Sequence, residues 1–214
     1  MTKAIIISRY NEDTSWTSKF NSDCKLYIYD KGISKEDTYE CLENFGREAH
    51  TYLNHIIKHY NNLEDHNFFL QGDTPIHCVF ENTCPGGIFE FVNNFKEGNN
   101  YKGLAGPEFP ITGTSIPGHM HGILADNQTP TYFYDNFLKK DSNTIKDITY
   151  NVVACACFYV NKENILRHPL SVYQSIQEQF EQYGKSGIRH HDDLHFAGTL
   201  EYSWHLLFDN IYYQ

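Results

Sequence analysis

The stretch EDHNFFLQGDTPIH, residues 64–77, sets a continuous apolar run, Phe68-Phe69-Leu70, against an abrupt polar ending, Gln71-Gly72-Asp73. A run that is apolar at every position fits a strand covered on both faces. An amide, a residue without a side chain and a carboxylate at its end can deliver a ligand to the edge of a sheet. The same residues also suit an ordinary turn before Thr74-Pro75. The choice depends on what the other strands do.

Three further runs share that apolar character: KAIIIS (3–8), KLYIYD (25–30) and NVVACACFYV (151–160). Helical patterns lie between them. SKEDTYECLENF (34–45) opens with Ser34 and carries Asp37 three residues on, an N-terminal capping signature. EAHTYLNHIIKHY (48–60) places Tyr52, Leu53, Ile56, Ile57 and Tyr60 on one face. SVYQSIQEQFEQYG (171–184) starts with a Ser171/Gln174 capping box and stops at Gly184. Alternating strands and helices predict an α/β sandwich with a largely parallel sheet. Residues 98–130 break the pattern with glycines and four prolines, and long aperiodic loops in compact domains are usually functional or disordered. No internal repeat or linker divides the chain, so residues 1–214 read as one domain, either complete or one module of a longer polypeptide.

In open α/β sheets ligands bind outside the carboxyl ends of the strands. Those ends read Arg9-Tyr10-Asn11-Glu12-Asp13, Asp30-Lys31-Gly32 and Gln71-Gly72-Asp73. Two cations, several oxygen donors and two glycines on one rim suit a nucleoside diphosphate with a hard divalent ion. Arg47, beside a helix start, is unfavourable for the helix dipole, and a bound anion would offset that. Each residue taken alone also fits a surface or turn role.

Composition narrows the field. The 214 residues are 40% hydrophobic and 21% charged, which excludes wholesale disorder. The net charge of −10 argues against a general nucleic-acid or anionic-membrane binder. The six cysteines form neither a C-x-x-C pair nor a secreted framework, predicting reduced thiols and a cytoplasmic location. No run reaches the length of a membrane span. Neither G-x-G-x-x-G after a strand nor a P-loop motif occurs, and H-E-x-x-H is absent from a chain with twelve histidines. His55 and His59, four apart, read as part of a polar helix face in preference to a metal pair.

SRYNED, YIYDKG, NFGREAHTYLNHII, FFLQGDTPIH, FYVNKENILRHPLSVYQSI and LEYSWHLLF, spread over residues 8–208, together resemble nucleotide-sugar glycosyltransferases of the GT-A fold. The likeness is to the glycosyltransferase domain that chlorella viruses encode for their capsid protein. It implies a Rossmann-like three-layer sandwich with a mainly parallel mixed sheet flanked by helices. It also implies a UDP-sugar donor, Mn²⁺ or Mg²⁺, and hexose transfer to a glycan or glycoprotein acceptor, in host cytoplasm if viral. Arg9, Tyr10 and Asn11 would meet the uridine, Asp30 the base or ribose, and Arg47 the diphosphate. Gln71-Gly72-Asp73 stands where the fold carries its metal-binding D-x-D, which occurs nowhere in the chain. Asp73 is then the carboxylate ligand, with His77, His191, water or the diphosphate completing the set.

Direct displacement needs a base for the acceptor hydroxyl. RHHDDLHFAGTLEYSW (189–204) offers Asp193 first, then Asp192, with Glu201 third; a retaining reaction needs none on that face. Loop 98–130 fits a lid over the donor, with Tyr101, Phe109, His119 and His121 able to stack on sugar. Two alternatives use the same residues: a metal phosphoesterase or nucleotide-sugar hydrolase, and a non-catalytic binding module.

Overall fold

A computed structural model describes residues 1–32, 39–96, 100–112, 130–153, 156–185 and 192–209. Eight strands are described: β1 (Lys3–Arg9), β2 (Cys24–Asp30), β3 (Glu40–Cys41), β4 (His66–Gln71), β5 (Tyr101–Gly103), β6 (Phe109–Thr112), β7 (Thr149–Val152) and β8 (Phe158–Asn161). The helices are α1 (Arg47–His59), α2 (Thr74–His77), α3 (Gly87–Asn93), α4 (Pro130–Asn136), α5 (Lys162–Ile165), α6 (Leu170–Lys185), α7 (Asp192–Glu201) and α8 (Trp204–Phe208). A 3-10 turn, Ser15–Lys19, follows β1.

Six strands form one sheet in the order β3-β2-β1-β4-β8-β5, and β6 pairs with β7 separately. β3, β2, β1 and β4 run parallel, while β8 is antiparallel to both β4 and β5. The expected mainly parallel mixed sheet flanked by helices is therefore present.

Alternation along the central strands builds two cores. Ala4, Ile6, Phe69, Phe158 and Val160 face one side, packed with Tyr52, Leu53 and Ile56 of α1, Tyr173 and Phe180 of α6, Leu200 of α7 and Phe208 of α8. Ile5, Ile7, Phe68, Leu70, Cys157 and Tyr159 face the other, against Cys78, Cys84 and the α3 residues Ile88 and Val92. Burial on both faces is why these strands read as unbroken apolar runs. Core tyrosines satisfy their hydroxyls on backbone: Tyr52 donates to Ala156 O at 2.7 Å and Tyr173 to Ile165 O at 2.7 Å.

α1 starts from Gly46 at φ 64°, followed by Arg47 at φ 44°. A Cβ at Gly46 would lie 2.6 Å from His50 Cβ and 2.9 Å from Phe180 Cδ1, so glycine answers both the backbone and the approach of α6. Glu48 in the first turn and Lys58 and His59 in the last suit the dipole of α1.

Four expectations are corrected. The helix over 34–45 is not formed in its described part, where Glu40–Cys41 pairs with Tyr29–Asp30 as an edge strand; Ser34 and Asp37 lie outside the described residues. The run 151–160 is two strands in different sheets, with Cys155 outside the described residues. α6 begins at Leu170, one residue before the expected Ser171 cap, and runs through Gly184 to Lys185. His55 does not line a polar face: it is fully buried, its Nδ1 2.8 Å from Tyr29 Oη and its ring stacked on His59. Cys24, Cys41, Cys78, Cys84 and Cys157 are free thiols. Among the described residues no helix is long and apolar enough to cross a membrane.

Candidate functional site

From β1 the chain passes through β2 to β3 on one side, while β4 lies on β1's other side and leads on to β8 and β5. The carboxyl ends of β1 and β4 therefore flank the point where strand order reverses, the place where open α/β sheets form a crevice. A cleft of about 300 Å³ opens there. β1 and the residues after it contribute Ser8, Arg9, Tyr10 and Glu12, and Lys31 comes from the end of β2. Asn44, Arg47 and Glu48 come from the start of α1, and Gln71, Gly72 and Asp73 from the end of β4.

The buried Arg9 guanidinium meets Asp30 (Nη1 to Oδ2, 3.0 Å), donates through Nε to Glu12 O at 3.1 Å and lies over the Tyr39 ring at 5.0 Å. Asp30 also accepts from Gly32 N at 2.7 Å. Arg9 thus braces the wall with its charge balanced. Lys31 Nζ donates to the carbonyls of Phe45 and, at 2.5 Å, Arg47, tying β2 to the entry of α1. The exposed Arg47 guanidinium makes no hydrogen bond or ion pair among the described residues, which leaves it available to an anion. Its position depends on the left-handed pair Gly46–Arg47, backbone strain of a kind that clusters at ligand sites.

Gln71 Nε2 donates to Glu48 Oε1 at 3.0 Å, and Ser8 Oγ and Thr51 Oγ1 share a hydrogen bond of 2.8 Å. Gly72 O accepts from Trp16 Nε1 at 2.9 Å, anchoring the rim to the Ser15–Lys19 turn, where Trp16 packs on Phe20 and Phe89. Asp73 stands at the N-terminal boundary of α2 without a side-chain capping bond, its Oδ2 lying 3.0 Å from His77 Nε2.

The structure thus brings Arg9, Tyr10, Arg47, Gln71, Gly72 and Asp73 into one cleft, with Asp30 behind Arg9 and His77 beside Asp73. Asn11, at φ 72°, lies next to Gly32, where a Cβ would be 2.3 Å from Asn11 Oδ1. His191 lies outside the described residues, as do His119 and His121. Asp192 and Asp193 open α7, but their side chains are likewise outside the description. Tyr101 is not a lid residue; its ring packs on Phe158 and Phe208 in the core.

Glu201 ends α7, the helix packed on α1. Burial, reinforced by the Glu48 charge and opposed by Arg47, pushes its carboxyl up to about 7. Ser8, Asn44 and Glu48 line the cleft without being expected site residues, whereas Lys31 and Glu12 are among the cations and carboxylates expected on the rim. Glu48 had one available signal, an acid in the first turn of a helix beside an arginine. Among the described residues no group of three or more His, Cys, Asp or Glu side chains is clustered to hold a metal.

A protein family described as "Protein of unknown function (DUF3431)" matches residues 5–102, a span that contains every residue lining the cleft but not Glu201. No curated protein and no solved structure matches the chain.

Proposed function

We propose that the chain is a metal-dependent GT-A glycosyltransferase, binding a UDP-sugar in the β1/β4 cleft and moving its hexose to the hydroxyl of a glycan acceptor. The observation that carries this reading is the convergence of Arg9, Lys31, Arg47 and Asp73, remote in sequence, on one cleft at the reversal of strand order. The choice of uridine comes from the sequence resemblance.

The residues fit a hard divalent ion with phosphate. Asp73 offers oxygen at the cleft edge, and such ions take one or two carboxylates and complete their coordination with water and phosphate oxygens. When bound, Mn²⁺ or Mg²⁺ would supply positive charge to the departing diphosphate. Arg47 faces the same charge with a guanidinium that makes no hydrogen bond or ion pair among the described residues, and Lys31 adds a second cation. Arg9, neutralised by Asp30, shapes the nucleoside end.

In transfer the acceptor oxygen forms a bond to the sugar's anomeric carbon, the bond from that carbon to the diphosphate oxygen breaks, and UDP leaves. The acceptor proton passes to a carboxylate. Asp193, Asp192 and Glu201 are the candidates for that carboxylate, all three on α7, the helix packed on α1.

Calorimetry with UDP, GDP and CMP, each with and without Mn²⁺, tests the reading. UDP is expected to bind about tenfold or more tightly than the other two, and only with Mn²⁺ present, a difference of about 1.4 kcal/mol or more. Equal affinity for all three would defeat it. Asp73→Asn should remove the Mn²⁺ dependence.

A further inference from the structure

We infer that Glu12, from the loop after β1, supplies a second carboxylate to the divalent-cation site, filling from another strand the place that Gln71 leaves without one. This rests on the nucleotide reading of the cleft. Gln71 is not itself free to ligate an ion: its Nε2 is held by Glu48 Oε1 at 3.0 Å, and its Oε1 lies 3.8 Å from Cys157 Sγ. The Gly72 carbonyl is taken by the Trp16 indole.

Glu12 occupies the space that remains. Its carboxylate rests against Gly72 so closely that a Cβ there would lie 2.7 Å from Oε2 and 3.0 Å from Cδ. Glycine at 72, the residue before Asp73 in the chain, leaves a cradle that the Glu12 side chain fills. Oε2 accepts the Tyr10 N–H, which fixes the direction of the carboxylate. Glu12 lines the cleft and makes no ion pair among the described residues, and Asp73 has only His77. Two carboxylates that line one cleft repel each other, and a divalent ion between them converts that repulsion into attraction. Two carboxylates with phosphate and water are an ordinary set for Mg²⁺-type ions. The ion should therefore bind weakly to the protein alone and firmly once a diphosphate is present.

Titration of Mn²⁺, followed by the paramagnetic resonance of the free ion, separates the possibilities. With UDP present, Glu12→Gln should weaken Mn²⁺ uptake about tenfold or more, as Asp73→Asn does. Glutamine keeps an oxygen for the Tyr10 N–H, so the urea unfolding midpoint measured without metal or nucleotide should match wild type. Gly72→Ala, whose Cβ displaces the carboxylate, should show the same loss. Wild-type Mn²⁺ affinity in Glu12→Gln, beside a clear loss in Asp73→Asn, overturns the role of Glu12 and leaves the nucleotide reading standing. A wild-type protein that takes up no Mn²⁺ with UDP removes both.

Discussion

Arg9→Met should lower folding stability by about 3–5 kcal/mol, the usual consequence of leaving one member of a buried ion pair alone. Arg9 is 6% exposed and the Asp30 side chain 0%. Losing the guanidinium strands a carboxylate that, among the described residues, keeps the Gly32 N–H as its side-chain hydrogen-bond donor. That loss is a large part of the roughly 5–15 kcal/mol available to an ordinary domain. Arg9→Met/Asp30→Asn should recover most of it, because the stranded charge is gone while the asparagine oxygen still accepts from Gly32. Urea unfolding of the three proteins measures the difference. A single variant within about 1 kcal/mol of wild type would mean that water reaches the pair.

Acid should unfold the protein well above the range of ordinary carboxylates. His50, His55 and His205 are all buried, and burial depresses each to about 3, helped by Lys31 at His50 and by His59 and Lys58 at His55. His50 Nδ1 and His55 Nε2 have no hydrogen-bond partner among the described residues, in keeping with neutral rings. Between about pH 6.5 and 3 the unfolded chain binds three protons that the native chain excludes. Stability is therefore intact above 6.5 and falls on acidification by about 4 kcal/mol per pH unit.

Glu201 works in the opposite sense. Its native carboxyl, at about 7 against an ordinary 4.5, binds a proton earlier than in the unfolded chain. Acidification from 7 to 4.5 thus returns about 1.4 kcal/mol per unit. The net loss, about 2.7 kcal/mol per unit, reaches about 5 kcal/mol between pH 6.5 and 4.5, enough to unfold a domain of modest stability. Urea midpoints at pH 7, 6 and 5 check it, and a midpoint that does not move contradicts it.

β1 and β4 were legible because both faces of each strand are covered, and α1 and α6 because one face of each meets the sheet. Residues 34–45 were misread because a capping signature is local, whereas Glu40–Cys41 is fixed by pairing with Tyr29–Asp30. The 151–160 run hid its break because periodicity does not register a change of sheet. His55 looked polar by spacing alone; the Tyr29 hydroxyl and the His59 ring that make its burial tolerable come from the fold.

The candidate site divides the same way. Arg9, Gln71, Gly72 and Asp73 could be named in advance, since parallel strands bring their carboxyl ends to one edge. Glu48 and Glu201 could not be paired, since only the packing of α7 on α1 sets them together. Glu12 could be placed on the rim, but its seat against Gly72 depends on the path of a loop.

The most direct measurement is the broadening of backbone amide resonances by Mn²⁺ with UDP. Broadening centred on residues 9–12, 31, 47–48 and 72–73, from the four segments that meet at the cleft, is the predicted result. Broadening centred elsewhere, or its absence at saturating UDP and Mn²⁺, contradicts a nucleotide site between β1 and β4.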